Sequence, residues 1–132
     1  LYGILRNLKS ETGAALVEFA LISLVLILLL AGIIQTGLVI SAKLSLENSA
    51  HLGVRCAVLP LNADNDAAIK AYIINETDLN LTESDISITP DTQRLSGTMV
   101  RVVINYNYRI PVTLGVFPET ITLSATATMM QN

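Results

Sequence analysis

The sequence predicts an α+β chain: a long N-terminal helix, apolar enough in its first half to cross a membrane, then a short helix and a three-stranded antiparallel sheet. Three observations predict it. From Ala14 to Ile40, 27 positions, Glu18 is the only charged residue. No proline occurs before Pro60. From Asp85 onward the apolar period changes to two, the period of a strand with one buried face.

The first element reads as one continuous helix from Ala14 to Val58. At about 1.5 Å per residue its apolar part measures roughly 40 Å, enough to cross a hydrocarbon core about 30 Å thick with tilt. Val and Ile are mediocre helix formers in water, but in lipid every backbone polar group must be satisfied within the segment, and that selects the helix. Beyond the apolar run, Lys43, Glu47, Asn48, His51 and Arg55 mark a half-polar extension of the same helix. The expected organisation is a leader over 1–13, a transmembrane half-helix over 14–42, and a head over 43–132 that includes the rest of the helix, together a lollipop.

Two features of this helix call for partners. A carboxylate costs about 2.5–3.5 kcal/mol at a bilayer centre and less near an interface, so Glu18, just inside the edge of the run, asks for a cation. Farther on, Gly37, Ser41, Ser45, Ser49, Gly53 and Ala57 recur at four-residue intervals. Such a row lets helices approach closely, and it drifts about 40° per step around a 3.6-residue helix, so it reaches more than one neighbour. The chain's own globular head is one possible neighbour.

Pro60 ends the helix, and Asn62-Ala63-Asp64-Asn65-Asp66 supplies N-cap candidates for a second, amphipathic helix over Ala67 to Asn75. Asp64-x-Asp66 lacks the glycine and terminal glutamate of a calcium loop, so it reads as a cap and no metal site is assigned. Ile86 and Ile88 form one alternating run, Val100, Val102 and Ile104 a second, and Ile121, Leu123, Ala125, Ala127 and Met129 a third. Pro90 and Gly97 punctuate the first gap and Pro111, Gly115 and Pro118 the second, giving three antiparallel strands. The last strand's apolar face is expected on the C-terminal part of the long helix.

Composition excludes several functions. Residues 43–132 carry six Lys and Arg against nine Asp and Glu, an acidic balance that suits a solvated surface and argues against a nucleic-acid partner. The single cysteine, Cys56, permits no intrachain disulfide and reads as a small buried hydrophobe. His51 is the only histidine, and there is no phosphate-binding glycine loop or Cys-x-x-Cys, so no catalytic residue or cofactor is assigned and an enzyme is not expected. Asn75-Glu76-Thr77 and Asn80-Leu81-Thr82 fit the acceptor pattern for N-glycosylation, which by its brevity arises often by chance. Arg6 and Lys9 give the leader a basic character, but the apolar run is too long for an ordinary secretory signal and should stay attached, with the charge balance slightly favouring a cytoplasmic N-terminus.

Gly13 followed by AALVEFAL, the unbroken apolar helix, then Ala50, Gly53, Val54 and Arg55, and the closing LSATATM resemble the TadE/TadG-like pilin-related proteins of the tight-adherence, type IVc pilus. The likeness runs over nearly the whole chain. The Gly-x4-Glu-Phe signal, Gly13 to Glu18-Phe19, is shared with type IV prepilins, the downstream pieces point to the TadE-like group, and the short length favours TadE over TadG. The resemblance implies a pilin-like lollipop and cleavage by a prepilin peptidase between Gly13 and Ala14, which leaves Glu18 as the fifth residue. It also implies that Glu18 meets the freed α-amine of a neighbouring subunit. The expected function is a structural subunit, major or minor, held in the bacterial inner membrane and drawn by the assembly platform into an extracellular filament with other pilin subunits. The alternative is a permanently anchored accessory or binding module.

Overall fold

The computed structural model describes residues 2–59, 65–91, 94–111 and 118–131, with the backbone alone over 2–11. The expected stop at Pro60, the cap candidates Asn62, Ala63 and Asp64, and Gly115 lie outside the described residues. Helix α1 runs Tyr2–Ala57, α2 runs Asp66–Glu76, a 3₁₀ turn covers Glu83–Asp85, and the strands are β1 (Ile86–Thr89), β2 (Met99–Arg109) and β3 (Thr120–Met130). The long apolar helix, the short helix and the three-stranded antiparallel sheet are those expected. One boundary moves: α1 begins at Tyr2 rather than Ala14, because the leader has no proline and is built largely of residues that favour helix.

The chain divides into two compact units, Leu1–Gly37 and Leu38–Asn132. In the first, Leu16, Phe19, Ile22, Val25, Ile27, Ile33 and Ile34 are all exposed. The stretch from Thr12 onward is long and apolar enough to cross a membrane. Its hydroxyls need no water, since Ser23 Oγ donates to the Phe19 carbonyl at 2.7 Å and Thr36 Oγ1 to the Gly32 carbonyl at 2.8 Å. Such back-bonding lets a polar side chain sit in hydrocarbon.

In the second unit the core is built on the last turns of α1. Ala42, Leu46, Ala50, Val54 and Ala57 are buried, at the three- and four-residue spacing of one helix face. They share a cluster with Ile69 and Ile73 of α2, Ile86 and Ile88 of β1, Val100, Val102 and Ile104 of β2, and Leu123, Ala125 and Ala127 of β3. The sheet order is β1-β2-β3, with Ile86 opposite Ile104 and Val102 opposite Ala127, so each inward residue meets another inward residue across the strands. The expectation that the apolar face of β3 joins the C-terminal part of α1 is met by Leu123, Ala125 and Ala127. The small side chains of Ala125 and Ala127 suit a strand that must accommodate a helix.

Polar contacts fix the connections. Asn65 caps α2 by accepting from the Ala68 N–H at 3.1 Å. Asp66, in the first turn, instead forms an ion pair with Arg94, whose side chain is fully buried and whose Nε donates to the Pro90 carbonyl at 3.3 Å. This joins the start of α2 to the β1–β2 connection. Before β2, Gly97 holds φ +87°, a left-handed conformation that only glycine adopts without strain, in a turn closed by the Thr98 N–H on the Leu95 carbonyl at 3.0 Å. The Gly97 N–H then donates to the Gln131 carbonyl at 2.7 Å, tying this turn to the end of β3.

Gly53 sets the distance between α1 and α2. A Cβ built there would collide with the Cδ1 end of Ile73 and lie 2.8 Å from its Cγ1 and 3.6 Å from Cγ1 of Val102, both fully buried residues. Gly53→Val should destabilise the second unit by about 2 kcal/mol, the overpacking cost outweighing a small gain in helix propensity. Urea denaturation of the full chain in micelles measures it. Asp66→Ala, which strips the buried Arg94 of its carboxylate, should also cost about 2 kcal/mol, and the double variant Asp66→Leu/Arg94→Met should cost less than the single one in the same assay.

Candidate functional site

The residues singled out by the sequence fall into two groups on α1. Gly13, Ala14, Glu18 and Phe19 lie in the first unit, all exposed. The row of small residues begins there at Gly37 and continues into the second unit.

The Gly13–Ala14 bond is inside α1, not at its start. Gly13 weakens the helix locally, because glycine in a helix interior is about 1 kcal/mol less favourable than alanine, and nothing lies within 4 Å of where its Cβ would be. Ala14 and Glu18 stand one turn apart on the same face. Among the described residues Glu18 enters no ion pair. The carboxylate therefore projects from an apolar stretch, next to Phe19, which is 70% exposed.

The small row does not keep to one environment. Gly37 and Ser41 are exposed, Ser45 is half-buried, and Ser49, Gly53 and Ala57 are buried in the core. The drift of about 40° per step carries the row around α1 until its last three members face the sheet and α2. Half of the row therefore serves the chain's own head, where Gly53 admits Ile73, and Ser49 Oγ is satisfied by the Ser45 carbonyl at 2.9 Å. The outer half faces away from the core. Ser41 and Ser45 help to line an open groove with Leu38, Asp78, Leu79 and Tyr108.

Lys43 was legible only as part of a polar extension, yet its ammonium reaches the carbonyl of Ser124 in the middle of β3. It also pairs with Glu47 at 3.3 Å, an exposed contact one helical turn away that is worth a few tenths of a kcal/mol at most. Nothing local in the sequence signals the Ser124 contact, since the partner is a backbone atom 81 residues away. His51 and Arg55 stand exposed one turn apart on α1. Arg55 borders a shallow apolar depression with Leu52, Cys56, Leu59 and Tyr72.

With this geometry in view, residues 13–55 match the TadE-like protein family. The match begins at Gly13, takes in Glu18, Phe19 and most of the small row, and ends at Arg55, covering about one third of the chain. It is consistent with a TadE-like protein of the Tad system. No curated protein and no solved structure matches the chain.

The division of the small row generates a test. Gly37→Leu should leave the denaturation midpoint of the second unit unchanged, since a side chain there meets nothing within 4 Å, and should weaken close helix–helix association of copies in bilayers, read by cross-linking. Undiminished association would remove the outer half of the row from any packing role.

Proposed function

We propose that this chain is a pilin-like structural subunit of a Tad, type IVc pilus, held in the inner membrane by α1 and assembled into a filament through that helix. The observation that carries the reading is Glu18: one carboxylate, exposed and unpaired among the described residues, one turn beyond a glycine–alanine bond in the otherwise uncharged stretch of α1 from Ala14 to Ile40. A plain anchor gains nothing from such a group and bears its desolvation cost.

Processing turns that cost into a contact. A prepilin peptidase hydrolyses the Gly13–Ala14 amide, water supplying the Gly13 carboxylate and leaving an ammonium on Ala14. The new cation sits at an N-terminus in the same apolar surroundings as Glu18, where opposite charges attract far more strongly than in water. Each subunit then carries a donor and an acceptor offset by four residues. An amine that meets Glu18 of a neighbour sets an axial stagger of about 6 Å between the two helices. Contacts of this head-to-tail kind do not close, and repeated they build a helical fibre.

In this reading the basic leader stays cytoplasmic, the head lies outside, and the partners are other pilin subunits, the peptidase, the assembly platform and lipid. The protein works without cofactor and catalyses nothing; its chemistry is done to it, once, by the peptidase.

In cells with an active prepilin peptidase, intact-mass spectrometry should find a mature chain that begins at Ala14. A chain that retains the leader there contradicts the proposal and leaves a permanently anchored module. Glu18→Ala should still insert in the membrane but enter sheared filaments about tenfold less, the equivalent of about 1.4 kcal/mol per contact. Normal incorporation of that variant would remove the pairing.

A further inference from the structure

Two N-glycosylation acceptor triplets lie close together, Asn75-Glu76-Thr77 and Asn80-Leu81-Thr82, and the fold treats them differently. We infer that Asn80 is an acceptor for an N-linked oligosaccharide on the exported head, and that Asn75 is not. The inference rests on the topology proposed above, in which the head lies outside the cytoplasm.

Asn75 belongs to the last turn of α2, which ends at Glu76. A transferase must lay the acceptor out along its own binding cleft, and at Asn75 that means unwinding the helix end whose Ile73 is fully buried in the core. Asn80 lies between α2 and the 3₁₀ turn, so presenting it unwinds no helix, although Leu81 must leave its buried seat for the triplet to be laid out. The Leu81 N–H donates to the Leu79 carbonyl at 2.8 Å, closing a three-residue turn with Asn80 at its centre. On either side of it, Leu81 is buried in the core and Leu79 packs against the core's edge. These two leucines anchor the segment and push Asn80 outward, where it is exposed.

The flanking chemistry also differs. Asp78, two residues ahead of Asn80, is exposed and extends the triplet to Asp-x-Asn-x-Thr, offering a transferase a carboxylate to hold with a basic side chain. The corresponding position before Asn75 is Ile73. Thr82, the hydroxyl residue of the triplet, is exposed, and its Oγ1 donates to Asp85 Oδ2 at 2.7 Å. That surface bond is exchanged for one to the transferase on binding.

The donor is an oligosaccharide linked through diphosphate to a polyprenol. The Asn80 amide nitrogen attacks the anomeric carbon, a carbon–nitrogen bond forms as the bond from that carbon to the diphosphate oxygen breaks, polyprenyl diphosphate leaves with the electron pair, and the amide gives up one proton. No oxidant or further reactant is needed.

The full chain is expressed in cells that carry an oligosaccharyltransferase and its polyprenyl-diphosphate oligosaccharide on the outer face of the inner membrane, and its intact mass is measured. The expected result is a gain of one glycan that persists in Asn75→Gln and Thr82→Ser, is abolished in Asn80→Gln and Thr82→Ala, and falls several-fold in Asp78→Asn. Absence of the glycan, or its attachment at Asn75, overturns the inference. Protease added to spheroplasts separates the two ideas: a digested head without glycan sinks the acceptor site alone, whereas a protected, unmodified head sinks the site and the proposed topology together.

Discussion

The head has no core without the helix that also forms the apolar run. One face of α1, from Ala42 through Leu46, Ala50 and Val54 to Ala57, supplies the buried side chains that share a cluster with the inward residues of all three strands. A three-stranded sheet has one apolar face and must bury it on something; here that something is a segment continuous with a helix suited to lipid. Breaking α1 between Ala42 and Ala57 would therefore remove the face on which the sheet is buried.

Other features fall into place around this constraint. α2 can lie close to α1 because Gly53 has no side chain, and Ile73 occupies the space left. Arg94 and Asp66 then fasten α2 to the β1–β2 connection, a buried guanidinium held by a partly exposed carboxylate. Thr82 and Asp85 close a capping box on the 3₁₀ turn that leads into β1, with the Thr82 N–H on Asp85 Oδ2 at 2.8 Å. Each contact fixes one junction between elements, and the elements themselves are held by burial.

Much of this was legible in the sequence because it depends on local period. Val100, Val102 and Ile104 alternate, and so they line one face of β2; the run of apolar residues after Gly13 lacks proline, and so it is helical. The start of α1 lies well before the change in polarity at Gly13, because that change does not interrupt the backbone, which continues as helix to Tyr2. What escaped the sequence was tertiary. Arg94 gives no local sign that it is buried, since its partner Asp66 lies 28 residues earlier and resembled a cap. The small row was visible, but only the fold reveals that its members divide between the core and the outer surface of α1. At Glu18 and the Gly13–Ala14 bond the sequence says as much as the structure, because both lie on an exposed stretch of α1 that, among the described residues, the fold brings against no other element.

The contact of Lys43 with the Ser124 carbonyl bears on the free edge of the sheet. β3 is an outer strand of eleven residues, and such an edge is a template for another strand. Strand-to-strand joining is hard to undo once begun. A lysine from the helix, lodged at the middle of that edge, splits the template into two short stretches and places a charge where an intruding strand would have to lie. A second strand could then pair only with the stretches of β3 on either side of Ser124, each too short to hold it firmly.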